Sequence, residues 1–140
     1  MRIISIKKAK RSLPLPFFLT RVPAGFPSPA DDYLDKTMDL NELLISHPAA
    51  TFFIRVDGDS MQGAGISSGD VLVVDRSLEA VNGTIVLAVL NGEFTVKRIH
   101  IKEERMVLMA ENPNYPSIEI NEAVDFQVWG VVTYIIHRAK

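Results

Sequence analysis

Cysteine is absent from this chain, which excludes disulfide frameworks, thiol catalysis and cysteine-bound zinc together. The same absence suits a reducing compartment, and a cytoplasmic location is expected. No apolar run approaches the ~18 residues that span a membrane. The opening segment MRIISIKKAKRSLPLPFFLTRV carries basic residues and an apolar patch. Pro14 and Pro16 interrupt that patch and Arg21 follows closely, whereas an export signal needs an unbroken apolar run of about 7–15 residues. Charge of one sign is also lacking: the formal net charge is −2. So even a balance argues against direct sequence-specific DNA binding, which shows as a basic excess on one face. Histidine is scarce. His47, His100 and His137 are isolated and lack the HExxH spacing, so neither a metal site nor a histidine-based triad is expected, and no cofactor is implied.

What the chain does have is a core. Its 140 residues are 47% hydrophobic, enough for one globular domain. Five of its 8 prolines, Pro14, Pro16, Pro23, Pro27 and Pro29, fall in the early stretch LPLPFFLTRVPAGFPSP. Proline fixes φ and removes a backbone donor, so this stretch reads as extended, neither helical nor central in a sheet. Residues 1–30 are read as an arm and residues 31–140 as a single β-rich domain. The segment DLNELLISHP predicts one short helix, with Asp39 as N-cap, Glu42 three residues on, and Pro48 ending it. His47 then falls at the helix end, His100 at a strand end and His137 near the C-terminus.

From residue 50 onward the runs TFFIRV, DVLVVD, TIVLAVL, EFTVKRIH, RMVLMA and FQVWGVVTYII read as strands. Phe126 and Trp129 are expected in the core of the last one. The best-defined pair is TIVLAVL-NG-EFTVKRI, because Asn-Gly between two such runs favours a type I′ hairpin. A two-residue loop fixes the register: Leu90 faces Glu93, Ala88 faces Thr95 and Val86 faces Lys97. The fold class is therefore mainly β, with a short helix and an extended N-terminal arm.

Two residues in this frame carry candidate chemistry. Ser60 lies in VDGDSMQGAGISSGD, where Gly, Asp and Ser read first as an ordinary surface turn. Such a turn also suits a nucleophile, because consecutive backbone N–H groups can point at a developing oxyanion. Lys97 faces Val86 and Ala88 with no carboxylate opposite. Lysine acts as a base only when neutral, and its unperturbed pKa of ~10.4 leaves well under one per cent neutral at pH 7. Burial lowers that value, and a shift of about 3 units needs roughly 4 kcal/mol of selective destabilisation of the ammonium. The residues alone leave two readings open. Lys97 is either a base for Ser60, as in known serine-lysine pairs, or a strand lysine with its head in water.

In their flanking sequences the two residues resemble a family. The stretch GDSMQGAGISSGDVLVVDR followed by GEFTVKRI is similar to the LexA/UmuD-type self-cleaving proteins of the bacterial SOS response to DNA damage. The likeness extends to AGFPSPADDYLDKTMDLNELLISHP, ENPNYPSIEI and VWGVVTYII. The short arm leaves no room for an N-terminal helix-turn-helix, so the resemblance is to the UmuD subgroup. It implies a LexA-like, signal-peptidase-like β-rich catalytic domain. It further implies Ser60 as nucleophile, Lys97 as general base, and the N–H groups of Asp59 and Ser60 as oxyanion hole. The implied scissile bond is Ala24-Gly25. Ala-Gly departs from the Cys-Gly common in the subgroup but is chemically compatible.

The resemblance implies partners as well. A RecA filament on single-stranded DNA would trigger cleavage, and the product would form a homodimer serving a Y-family translesion polymerase subunit of the UmuC kind. A non-cleaving dimeric accessory module is the alternative. A signal-peptidase-like enzyme is disfavoured, since no membrane segment is seen. The basic cluster KKAKR at residues 7–11 reads as a solvated part of the arm.

Overall fold

The computed structural model describes residues 1–8, 14–18 and 34–139. These fall into two units, residues 1–8 with 47–139 and residues 14–18 with 34–46. In chain order the strands are β1 (Arg2–Lys8), β2 (Pro14–Phe18), β3 (Leu34–Asp39), β4 (Thr51–Asp57) and β5 (Val71–Asp75). They continue with β6 (Ile85–Leu90), β7 (Glu93–Lys102), β8 (Arg105–Met109), β9 (Ile118–Ile120) and β10 (Phe126–Ile136).

The larger unit is an eight-stranded sheet in the order β1-β4-β5-β10-β6-β7-β8-β9. Every neighbouring pair is antiparallel. The β6–β7 hairpin has the register that its Asn-Gly turn requires: Val86 pairs Lys97, Ala88 pairs Thr95 and Leu90 pairs Glu93. Asn91 and Gly92 take φ of 49° and 82°. Both positive values are what a type I′ loop demands.

Alternation along β6 divides the core. Leu87 joins Val96 in a buried cluster with Ile54, Val56, Met61, Ile66, Leu72 and Val74. Val86 and Ala88 point the other way, into a second cluster with Ile99 and Leu108. Trp129 and Phe126 pack half-buried against the first and second clusters respectively. Trp129 meets the edges of Phe52 and Phe94 at centroid distances of 5.1 and 5.7 Å, and the Arg76 guanidinium lies 4.2 Å over its ring.

Gly130 sits where the register of β10 against β6 shifts. A Cβ there would lie 2.5 Å from Cγ1 of Val74, a stiff and fully buried side chain. Gly130→Ala is therefore expected to destabilise the fold by about 1–3 kcal/mol through overpacking, measurable by denaturant or thermal unfolding.

In the smaller unit β2 pairs with β3, Leu15 opposite Met38 and Phe17 opposite Lys36. Both strands of a two-stranded ribbon are edges, which is where prolines such as Pro14 and Pro16 are tolerated. Helix α1 (Leu40–Leu44) follows, its N-terminus capped by Asp39, whose carboxylate accepts the Asn41 N–H at 2.9 Å. The cap is the expected one. The helix closes at Ile45, and Pro48 opens a separate 3-10 turn, Pro48–Ala50.

Four strands depart from the sequence reading. β1, placed in the arm, instead pairs along the edge of β4, from Arg2 opposite Asp57 to Lys8 opposite Phe52. Ile3, Ile4 and Ile6 supply its β-branched character, but a register shift between Ile3 and Ser5 blurs the alternation by which a strand is recognised. The basic cluster is thus divided, Lys7 and Lys8 being in β1 and residues 9–11 outside the described residues. β2, β3 and β9 are short and interrupted by proline or charge: PLPFF, LDKTMD and IEI.

Two histidines tie loops to the sheet. Nδ1 of His47 lies 2.6 Å from the buried Asp75 carboxylate, and Nδ1 of His137 lies 2.6 Å from buried Asp70. His100 lies inside β7 rather than at a strand end.

Candidate active site

The turn that follows β4 is built for a close approach of backbones. Gly58 takes φ of 110°, and a Cβ there would stand 3.3 Å from the Met1 Cα. The chain then folds on itself: the Asp59 carbonyl accepts the Gln62 N–H at 3.2 Å, and the Met61 carbonyl accepts Ala64 N–H at 3.0 Å. A 3-10 turn, Gln62–Ala64, closes at Gly65 with φ of 82°. Met61 and Ile66 are fully buried and anchor the turn in the first core cluster. The turn's own bonds are donated by Gln62, Ala64, Gly65 and Ile66, not by Asp59 or Ser60.

Ser60 is fully buried, against its reading as a surface turn residue. Its Oγ has no hydrogen-bond partner among the described residues. An unpaired buried hydroxyl costs about 1–3 kcal/mol, and such a group calls for an explanation in function. An open cavity of about 320 Å³ adjoins the turn, lined by Gly58, Asp59, Gln62, Ile66, Ser67 and Ser68.

Lys97 sits in the middle of β7 with only 6% of its surface exposed. Its Nζ donates to Thr95 Oγ1 at 3.0 Å and to the Val96 carbonyl at 3.2 Å, both neutral acceptors. Burial holds the ammonium below its ordinary pKa of 10.5, and no carboxylate among the described residues offsets that effect. The apolar setting expected from the hairpin is therefore present, and it is deeper than one sheet face would supply.

Met61 and Val96, the chain neighbours of Ser60 and Lys97, share one buried cluster. The pKa of the Met1 amine is lowered by burial first and then by the Lys97 charge, while the Asp59 and Asp57 carboxylates raise it. No hydrogen bond joins Ser60 to Lys97. Ala24 and Gly25 lie outside the described residues.

The sequence reading assigned no role to Glu111, Asn112 and Tyr115, which touch the serine turn from the loop after β8. The available signals are the polar residues flanking Pro113 in ENPNYP and that stretch's place in the family likeness. Their reach across the fold depends on how β8 and β9 are placed. Among the described residues no group of His, Asp or Glu is arranged to hold a metal ion, and no helix is long and apolar enough to cross a membrane.

A β-rich fold that presents a buried serine on a glycine-bounded turn and a desolvated lysine on a separate strand has the build of a serine-type peptidase. The chain belongs to the Peptidase S24-like family, whose pattern it matches over residues 16–133. It is 49% identical over 125 residues to Protein SamA of Salmonella typhimurium, which covers 89% of this chain and 86% of that protein. To Protein MucA of Escherichia coli it is 48% identical over 129 residues, 90% of this chain and 86% of the relative. The LexA repressor of Pseudomonas chlororaphis is 37% identical over 128 residues, 91% of this chain and 61% of the repressor. The resemblance to UmuD-type self-cleaving SOS proteins is thereby borne out.

Proposed function

We propose that this self-cleaving SOS-response protein cuts its own Ala24-Gly25 bond, with Ser60 as nucleophile and Lys97 as general base. The observation that carries this reading is the state of Lys97: buried and, among the described residues, bonded to neutral oxygens with no carboxylate partner. A neutral lysine amine has two N–H donors and one lone pair. Thr95 Oγ1 and the Val96 carbonyl take the two donors, which leaves the lone pair for the Ser60 proton.

The steps then follow. Lys97 accepts the hydroxyl proton as Ser60 Oγ attacks the Ala24 carbonyl. The N–H groups of Asp59 and Ser60 stabilise the resulting oxyanion. Collapse expels the Gly25 amine, which takes a proton from Lys97, and water then hydrolyses the Ala24 ester on Ser60. Alanine before the cut needs only a small pocket, and glycine after it lets the two backbones come close. Because substrate and site share one chain, tethering replaces a bimolecular encounter. On this reading residues 1–30 are the cleavable arm of a domain comprising residues 31–140, and in the uncut chain the arm's first strand, β1, pairs with the edge of β4.

The protein is an accessory to an error-prone polymerase, and its partners are assigned on the same footing. A RecA filament on single-stranded DNA favours the cleavable state. The shortened chain forms a homodimer in the cytoplasm that engages a Y-family polymerase subunit of the UmuC kind. The test is mass spectrometry of the purified full-length protein after incubation with activated filament. The expected product has a new N-terminus at Gly25. A chain that stays at full length would instead make the protein a non-cleaving dimeric accessory module.

A further inference from the structure

The loop after β8 grips the serine turn at three points. The Glu111 carbonyl accepts the Gly63 N–H at 2.7 Å. The Asn112 side-chain amide donates to the Asp59 carbonyl at 3.0 Å. The Tyr115 hydroxyl donates to Asp59 Oδ1 at 2.5 Å. The contact is tight enough to demand glycine, since a Cβ on Gly63 would lie 2.6 Å from the Glu111 carbonyl oxygen.

Asn112 is itself held at both ends. Its Oδ1 accepts the Asn114 N–H at 2.9 Å, so its Nδ2 is the atom turned toward Asp59. Pro113 stiffens the loop by fixing φ. On the far side, Glu111 ion-pairs with Arg98, the residue after Lys97 on β7, and Arg98 Nη1 also donates to the Gly83 carbonyl at 2.7 Å. The loop therefore connects the turn that carries Ser60 with the strand that carries Lys97.

One of these bonds falls on a special atom. The Asp59 carbonyl and the Ser60 N–H are the two ends of a single peptide unit, which is planar and trans. Fixing the carbonyl direction fixes the N–H direction, opposite to it. A donor on the carbonyl also polarises the unit and strengthens its N–H as a donor. The Asp59 carbonyl here receives two donors, Gln62 N–H at 3.2 Å and Asn112 Nδ2.

We infer that Asn112 is a positioning residue of the cleavage reaction: by holding the Asp59 carbonyl it aims and strengthens the Ser60 N–H that receives the oxyanion, with Tyr115 and Glu111 completing the grip. This rests on the assignment of Ser60 as nucleophile. It adds a second set of residues, remote in sequence from both Ser60 and Lys97, on which the rate depends.

The test is the first-order rate of self-cleavage in Asn112→Ser, Asn112→Gln and Tyr115→Phe, followed from about pH 6 to pH 10 beside Ser60→Ala. Serine still offers an oxygen to the Asn114 N–H and preserves the turn, but it cannot reach Asp59. Asn112→Ser is expected to lose roughly 10- to 100-fold in rate across the profile. The midpoint of the profile should stay in place, because Lys97 is untouched, and the melting temperature should stay close to that of the parent. Asn112→Gln retains an amide donor and should recover part of the loss. Tyr115→Phe should lose less than Asn112→Ser, since it acts only on the Asp59 side chain.

Cleavage by Asn112→Ser within twofold of the parent, beside an inactive Ser60→Ala, would overturn the positioning role and leave the nucleophile standing. Loss of rate accompanied by a matching fall in melting temperature, without recovery in the glutamine variant, would also overturn it. Cutting by Ser60→Ala at the parent rate would remove the nucleophile assignment itself.

Discussion

Ser60→Ala is expected to reduce self-cleavage by at least about 10⁴-fold while leaving a folded and slightly more stable protein. The loss of rate follows from removing the attacking oxygen. The gain in stability follows from burial. Ser60 is fully enclosed and its hydroxyl has no partner among the described residues, so the parent carries an unpaired polar group that alanine lacks. Removing it should contribute up to about 1–3 kcal/mol, seen as a melting temperature a few degrees higher. Rate is measured by gel or mass spectrometry and stability by thermal unfolding. A variant that cuts normally would exclude Ser60 as nucleophile. One that melts well below the parent would mean that the hydroxyl is satisfied in the native protein.

Lys97→Met should be comparably inactive, and its stability should depend on pH in a defined direction. Burial lowers the native-state pKa of Lys97 below the ordinary 10.5 of the unfolded chain. Below the native value both states are protonated, and the parent bears the full cost of a buried ammonium. Between the native value and 10.5 the unfolded state holds a proton that the folded state has released, so parent stability rises with pH. Methionine keeps the length of the side chain without the charge. The variant should therefore melt above the parent near neutral pH, and the gap should close as pH rises from the native Lys97 pKa toward 10.5.

The same titration governs catalysis. In the parent the cleavage rate should climb with pH as the neutral amine is populated, then level off above the native pKa. Parallel pH profiles of rate and of melting temperature check both statements. A rate that is flat from about pH 6 to pH 10 would exclude a lysine base. A constant stability gap would mean that the native lysine is not displaced from its ordinary titration.

Much of the fold is local, and what is local was readable. The Asn-Gly loop sets the β6–β7 register, and that register determines which strand face Lys97 occupies. The Asp39 cap and the six runs after residue 50 were likewise written in neighbouring residues. β1 was not, because a shifted register hides its alternation and only pairing with β4 gives Ile3 a place against the core. β9, three residues long, exists only because β8 lies beside it.

For the site the division is sharper. Residue type and flanking motif pointed to Ser60 and Lys97, since a hydroxyl and an amine are the chemistry that serine-lysine hydrolysis requires. Their surroundings were beyond the sequence. That Ser60 is enclosed rather than exposed, that Lys97 is buried, and that the ENPNYP loop holds the peptide behind Ser60 all follow from contacts between distant segments. The sequence by itself determined which groups are available and which strand face carries the lysine. Tertiary structure decided how dry the lysine is and where the serine's backbone N–H points, because burial and peptide orientation are set by the whole packed molecule and not by any one stretch of chain.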